Sequence, residues 1–123
     1  MSFDALSNTV VGLAIEVHRE LGPGLLESTY QACLAYELQS HNIDFQKQLS
    51  LPVTYKEVKV DCGYRIDLLI ENHLLLELKC ISQLQAIHEA QILTYMKLAN
   101  ISTGLLINFN VRLLKQGIKR FVL

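Results

Sequence analysis

The run TGLLINF (Thr103–Phe109) is apolar at nearly every position, on both of the faces a β-strand presents. A strand with that pattern has no side to turn to water. It belongs in the middle of a sheet covered on both faces. The rest of the chain must therefore supply flanking strands and covering helices.

Periodicity supplies both. Asp4 can cap a first helix reaching about Leu21, with Leu6, Val10, Leu13, Ala14 and Val17 as its apolar stripe. The GPG at Gly22–Gly24 stops it. A second helix is expected from about Leu26 to Ser40, with Leu34 and Leu38 inward. FQKQLSLPVTY then alternates, placing Phe45, Leu49, Leu51, Val53 and Tyr55 on one face and Gln46, Gln48, Ser50 and Thr54 on the other. It reads as one half-buried antiparallel strand, in which Pro52 marks an edge or a bend. Two strands follow, at about 63–71 and 73–80, joined tightly around Asn72. SQLQ (Ser82–Gln85) has the form of a capping box for a helix reaching Leu98, and IKRFVL after Gly117 reads as a last strand. The order is ααβββαβ(β): an α/β fold with a mixed β-sheet flanked by helices. Its strand–helix–strand crossover should be right-handed and make the two strands parallel.

With 123 residues the chain is expected to form a single domain, 1–123, large enough for a core without disulfides. Half apolar and 19% charged, it reads as globular and soluble. No apolar run approaches the roughly 18 residues of a membrane span, and the N-terminus lacks the pattern of a signal peptide. The expected location is the cytoplasm. Cys33, Cys62 and Cys80 show no metal-binding spacing, and their apolar neighbourhoods predict free, buried thiols. The net charge of −1 is unevenly spread. Residues 1–90 carry all 12 acids and 6 of the 11 Lys and Arg, whereas 91–123 carry Lys97, Arg112, Lys115, Lys119 and Arg120 and no acid. Such a basic end is either a phosphate-attracting patch or simply a solvated strand and loop.

The sharpest chemical signal is DLLIENHLLLELK (residues 67–79), a leucine-rich hairpin carrying Asp67, Glu77 and Lys79. If the turn centres on Asn72, Asp67 faces Glu77, Leu69 faces Leu75 and Arg65 faces Lys79. Asp67, Glu77 and Lys79 then share one face, and Ile66, Leu68, Ile70, Leu74, Leu76 and Leu78 fill the other. A two-residue loop would instead separate the two acids. Facing carboxylates repel unless a cation sits between them. Mg²⁺, which takes one or two carboxylates with water and phosphate, resolves the conflict. Lys79 adds a positive charge able to orient a water or stabilise a phosphorane-like transition state. The competing reading is a surface ion pair of Glu77 with Lys79 or Arg65, worth about 0–1 kcal/mol.

Other residues point to the same place. Glu27 lines up with Leu34 and Leu38 along the second helix, where an inward acid fits dipole stabilisation less well than it fits a ligand. Tyr30 shares that face, either as a partner of Glu27 or as a core aromatic. On the later helix His88, Gln91 and Tyr95 form a polar stripe. Gln91 and Tyr95 can hydrogen-bond phosphate or Lys79, whereas His88 reads as a satisfied histidine.

GLLESTY (Gly24, Glu27, Tyr30), YRIDLLIENHLLLELK and IHEAQILTYMKL together resemble the GxxExxY proteins, placed in the PD-(D/E)xK nuclease-like superfamily. The resemblance runs over nearly the whole chain and implies a restriction-endonuclease-like αβββαβ core. It also implies Asp67 and Glu77 as Mg²⁺ ligands with the Leu78 carbonyl, Glu27 as an additional acid, and Lys79 as the residue positioning the attacking water. Gln91 and Tyr95 resemble the QxxxY element of the RecB-type exonuclease branch, which lies beside the substrate. One position departs: Ile66 stands where the motif has proline.

The expectation is thus a Mg²⁺-dependent nuclease, with Mn²⁺ as a substitute ion, acting on DNA at ends or single strands. A net charge of −1 recruits DNA weakly, so a homo-oligomer or protein partner is a candidate for delivering substrate. The alternative is a non-catalytic nuclease-fold module that binds nucleic acid or a protein through the basic region 112–120. A third reading is an ion-pair cluster without ligand.

Overall fold

The computed structural model describes residues 4–123. Helix α1 (Ala5–Leu21) starts where the Asp4 carboxylate accepts from the Ser7 N–H at 3.1 Å and from the Ser7 hydroxyl at 2.6 Å. These bonds, Ser7's hydroxyl first, hold the Asp4 carboxyl well below its ordinary range. Arg120 adds an ion pair at 2.8 Å that ties the last strand to this cap. Helix α1 ends at Gly22, whose φ of 68° suits a residue without Cβ. Helix α2 (Glu27–Ser40) follows.

Five strands form one sheet in the order β1-β4-β5-β6-β7: β1 (Phe45–Ser50), β4 (Arg65–Ile70), β5 (Leu74–Lys79), β6 (Thr103–Asn108) and β7 (Ile118–Val122). Only β5 and β6 are parallel, and α3 (Ala86–Ala99) connects them. All six residues of β6 are buried, as an apolar central strand requires. A short 3₁₀ turn (Leu114–Gly117) precedes β7. The mixed sheet flanked by helices agrees with the order read from the sequence, with one insertion.

That insertion corrects the first strand. FQKQLSLPVTY is not continuous: the sheet strand stops at Ser50, and β2 (Val53–Tyr55) pairs with β3 (Val58–Val60) in a separate two-stranded arm. Pro52, which lacks an N–H, sits at the break. The arm turns through Lys56 and Glu57, both at positive φ (46° and 74°), so the turn carries neither Gly nor Asn to announce it. The shared face fails with it. Phe45 packs beneath α1 and α2, Leu49 and Leu51 pack on the α3 side, and Tyr55 is exposed.

Two apolar layers cover the sheet. Leu68, Ile70, Leu76, Leu78, Leu105 and Ile107 of the sheet pack with α1 and with Tyr30, Leu34 and Leu38 of α2, while Leu69, Leu75 and Leu106 pack against Ile92 and Met96 of α3. Each fully buried leucine contributes about 1.5–3 kcal/mol of transfer free energy. The expected apolar face of the hairpin holds except at Ile66, which belongs to the α3 layer with Leu69.

Helix α3 also begins later than expected. Gln85, not Ser82, is its cap: Gln85 and His88 exchange side-chain and backbone bonds in a capping box. The reason lies at the end of β6. Asn108 accepts from the Ile81 N–H at 3.1 Å and donates to the Ile81 carbonyl at 2.9 Å, holding that segment out of the helix. The cysteines are free, but Cys62 is exposed and Cys33 and Cys80 are only half-buried, because Cys62 falls in the loop after the arm.

Candidate active site

The hairpin turn centres on Asn72. Glu71 and Asn72 take left-handed φ (53° and 51°), and the His73 N–H donates to Ile70 O at 2.9 Å. Leu69 therefore pairs with Leu75, and Leu68 with Leu76. The same register sets Asp67 against Glu77, but the backbone ladder ends one residue short of them. Side chains take over. The Leu78 N–H donates to Asp67 Oδ2 at 2.7 Å, and the Asp67 N–H donates to Glu77 Oε1 at 3.3 Å.

On the other edge of β4 the ladder also skips one step. Lys47 pairs with Leu68 and Leu49 with Ile66, leaving Gln48 and Asp67 unpaired between them. Gln48 has φ 51° there, and its amide donates to Asp67 Oδ1 at 3.4 Å and to Gln31 Oε1 at 2.8 Å. This interruption on both sides of Asp67 accounts for Ile66 crossing to the α3 layer. Irregular strand pairing of this kind re-aims side chains. The two acids are 8% and 4% exposed.

Burial pushes the Glu77 carboxyl up to about 8, and the neighbouring Asp67 and Glu27 charges push in the same direction. Burial likewise raises Asp67, opposed by the Leu78 N–H, Gln48 and Lys79. Glu27 is raised by burial and by the Asp67 charge. These three acids thus feel one another, with Lys79 as the counterweight.

Lys79 does not neutralise them by contact. Its ammonium donates to Gln91 Oε1 at 3.2 Å, and Gln91 Nε2 donates to the Tyr95 hydroxyl at 3.1 Å. The ion pairs of the described residues are Arg19–Glu16, Lys119–Glu89 and Arg120–Asp4, none of which involves the site acids. Arg65, expected to face Lys79, instead donates to Ser50 Oγ and Tyr64 O, because the β4–β5 ladder has already opened at that point. The reading of a Glu77 surface pair with Lys79 or Arg65 is therefore overturned.

Asp67, Glu77, Lys79, Gln91 and Tyr95 are thus brought together. Glu27 lies at the rim: the residue is exposed at the start of α2 rather than buried with Leu34 and Leu38, yet its carboxyl is partly shielded from water and feels the Asp67 charge. Tyr30 is no partner of Glu27. Its hydroxyl donates to Gly22 O at 2.5 Å and accepts from the Leu25 N–H at 3.2 Å, and its ring stacks on Phe109 with centroids 4.5 Å apart. It fixes the turn from which Glu27 departs. Two contributors escaped the sequence reading: Gln48, taken for an outward strand residue, and Asn108, hidden in an apolar run. A lone polar residue inside TGLLINF was the available signal for Asn108.

Two buried oxygen-donor carboxylates that repel one another suit a hard divalent cation. Among the described residues no three His, Cys, Asp or Glu side chains converge into a complete cage. The donors on offer are the two carboxylates of Asp67 and Glu77, and an ion held by that pair would keep the rest of its shell as water. Among the same residues no helix is long and apolar enough to cross a membrane.

No curated protein and no solved structure matches the chain significantly. Residues 4–121 match the family model of the PD-(D/E)XK nuclease superfamily. The sheet, the facing acids and the lysine two residues after the second acid are consistent with that match over nearly the full length, and the chain belongs to the PD-(D/E)XK nuclease superfamily.

Proposed function

We propose that the chain is a divalent-metal-dependent deoxyribonuclease acting on DNA ends or single strands. One observation carries this reading. Asp67 and Glu77 face each other in a buried site where no side chain among the described residues ion-pairs with them, while Lys79 is held beside them by Gln91. The segment GLLESTY supports a place among the GxxExxY proteins.

Asp67 and Glu77 would hold the ion, with Glu27 as a further carboxylate within electrostatic reach. Mg²⁺ fits these donors, and Mn²⁺ is the natural substitute. When bound, the ion supplies charge neutralisation at the scissile phosphate and the leaving oxygen. The protein supplies orientation. The Leu78 N–H and Gln48 fix the Asp67 carboxylate. Lys79 orients the attacking water, Gln91 fixes the ammonium, and Tyr95 fixes Gln91.

The test is cleavage of single- and double-stranded DNA with Mg²⁺ or Mn²⁺, with EDTA and Lys79→Ala as controls. Activity no greater than the Lys79→Ala background on every DNA substrate sinks the reading. The rival, a non-catalytic binding module, draws on Arg112 and Lys115, which line a cleft of about 460 Å³ beside Arg19. Lys119 and Arg120 support it less, being paired with Glu89 and Asp4. Metal-independent binding that survives Glu77→Ala and is lost on neutralising Arg112 and Lys115 would favour that rival.

A further inference from the structure

An open cleft of about 620 Å³ lies along α3, lined by Ile87, Gln91, Tyr95 and Leu98 of the helix together with Tyr64 and Val53. We propose that it seats an unpaired nucleobase of single-stranded DNA whose phosphate lies at Lys79. The inference rests on reading the Asp67, Glu77 and Lys79 site as a phosphodiesterase centre, and it names which form of DNA that centre takes.

The position of Gln91 joins the two. It is a wall of the cleft and the residue that holds the Lys79 ammonium. A nucleotide with its phosphate at Lys79 must project its nucleoside to one side, and the cleft begins one hydrogen bond away, at Gln91. Its walls suit a flat aromatic guest. Tyr64 is 43% exposed, and its ring meets that of the buried Tyr95 at 5.8 Å between centroids, tilted by 54°. Ile87 is 67% exposed and Leu98 39%, so water covers apolar surface that a base would cover better. Tyr95 is held by Gln91, which keeps this floor in place whether or not a guest is present.

Stacking on an aromatic ring tolerates any base, because every base has a π-face, and contributes about 1–3 kcal/mol per base. A base inside a duplex has both faces covered by its neighbours and must first be unstacked. The cleft therefore favours single strands and frayed ends over blunt duplex interiors.

The experiment uses the whole chain in EDTA, so that nothing is cleaved. The probes are a single-stranded oligodeoxynucleotide of about ten nucleotides carrying 2-aminopurine, and the matching blunt duplex. The single strand should bind with quenching of the 2-aminopurine. Tyr64→Ala should weaken that binding by roughly 5- to 100-fold and abolish the quench, leaving the weaker duplex binding unchanged. Tyr64→Trp, which keeps a stacking ring, should retain both. Equal loss for strand and duplex, no loss for either, or no single-strand binding by the wild type would overturn the inference. The two readings separate cleanly. Tyr64-dependent binding without cleavage in Mg²⁺ or Mn²⁺ leaves the cleft standing and removes the hydrolase. Cleavage of strand and duplex alike, both indifferent to Tyr64→Ala, does the reverse.

Discussion

The backbone N–H of Asp67 donates to the carboxylate of Glu77 across the hairpin at 3.3 Å, in the place where a strand ladder would otherwise continue. A side chain that carries a sheet hydrogen bond cannot leave without consequence, and this one is an acid beside another acid. The titration of Glu77 is thereby tied to the stability of the fold.

The sign follows from linkage. Glu77 is raised from 4.5 in its ordinary state to about 8 in the folded chain. Between those values the folded state keeps a proton that the unfolded state has lost, so stability falls as pH rises from about 4.5 to about 8 and levels above. Asp67 and Glu27 are raised too and act in the same direction, whereas the lowered Asp4 contributes stability that is lost only in more acidic solution. Thermal melts in EDTA should show Tm declining across that window. Glu77→Gln should flatten the decline and stabilise the metal-free protein at pH 8 by on the order of 1–3 kcal/mol. Added Mg²⁺ should restore stability to the wild type at pH 8 and not to the variant. A wild-type Tm that climbs from pH 5 to pH 8 in EDTA would contradict this account.

Gln91 is predicted to act through Lys79. Removing the amide in Gln91→Ala frees an ammonium held at 3.2 Å, and turnover on DNA should fall about 10- to 100-fold with little change in melting temperature. Lys79→Ala should cost more, about 10²- to 10⁴-fold. Single-turnover kinetics on a 5′-labelled strand measure both. Equal activity of Gln91→Ala and wild type would detach this amide from the reaction.

Tyr30→Phe keeps the ring stacked on Phe109 and removes the hydroxyl that serves both Gly22 O and the Leu25 N–H. Leaving two backbone groups without that partner should cost about 1–3 kcal/mol in urea unfolding. A change too small to resolve would mean that water replaces the hydroxyl freely.

Two glycines should respond differently to a methyl group. A Cβ at Gly104 would meet the Sδ of Met96 at 2.7 Å, the far part of a flexible side chain, so Gly104→Ala should cost roughly 1 kcal/mol or less. A Cβ at Gly117 would collide with the carbonyl oxygen of Asn108, which is backbone and cannot step aside. Gly117→Ala should therefore lose about 2 kcal/mol or more, and comparative melts of the two variants decide the order.

Elements governed by local pattern were legible in the sequence. The helix stripe of Val10, Leu13, Ala14 and Val17, the all-buried β6 and the register around Asn72 follow from periodicity and turn position, and they place Asp67 opposite Glu77. What stayed hidden depends on contacts between distant segments. Alternation assumes an unbroken ladder, so it could not foresee the skipped step at Gln48 and Asp67 or the transfer of Ile66 to the other layer. The Lys56–Glu57 turn lacked a turn signature, and the start of α3 was decided by Asn108 from another strand. Glu27 was legible as a member of the site's charge set but not as an exposed one.

The β2–β3 arm leaves the sheet at Leu51 and returns at Tyr64, and the Leu51 N–H donates to Tyr64 O at 2.9 Å across its neck. That closed neck makes the arm a cassette. Segments of other lengths and compositions can be spliced between those two residues while the strands on either side keep their register and the carboxylates their places. Because Val53 belongs to that insert and lines the cleft beside Tyr64 at its neck, exchanging it offers a way to retune what the groove accepts while Tyr64 stays in place.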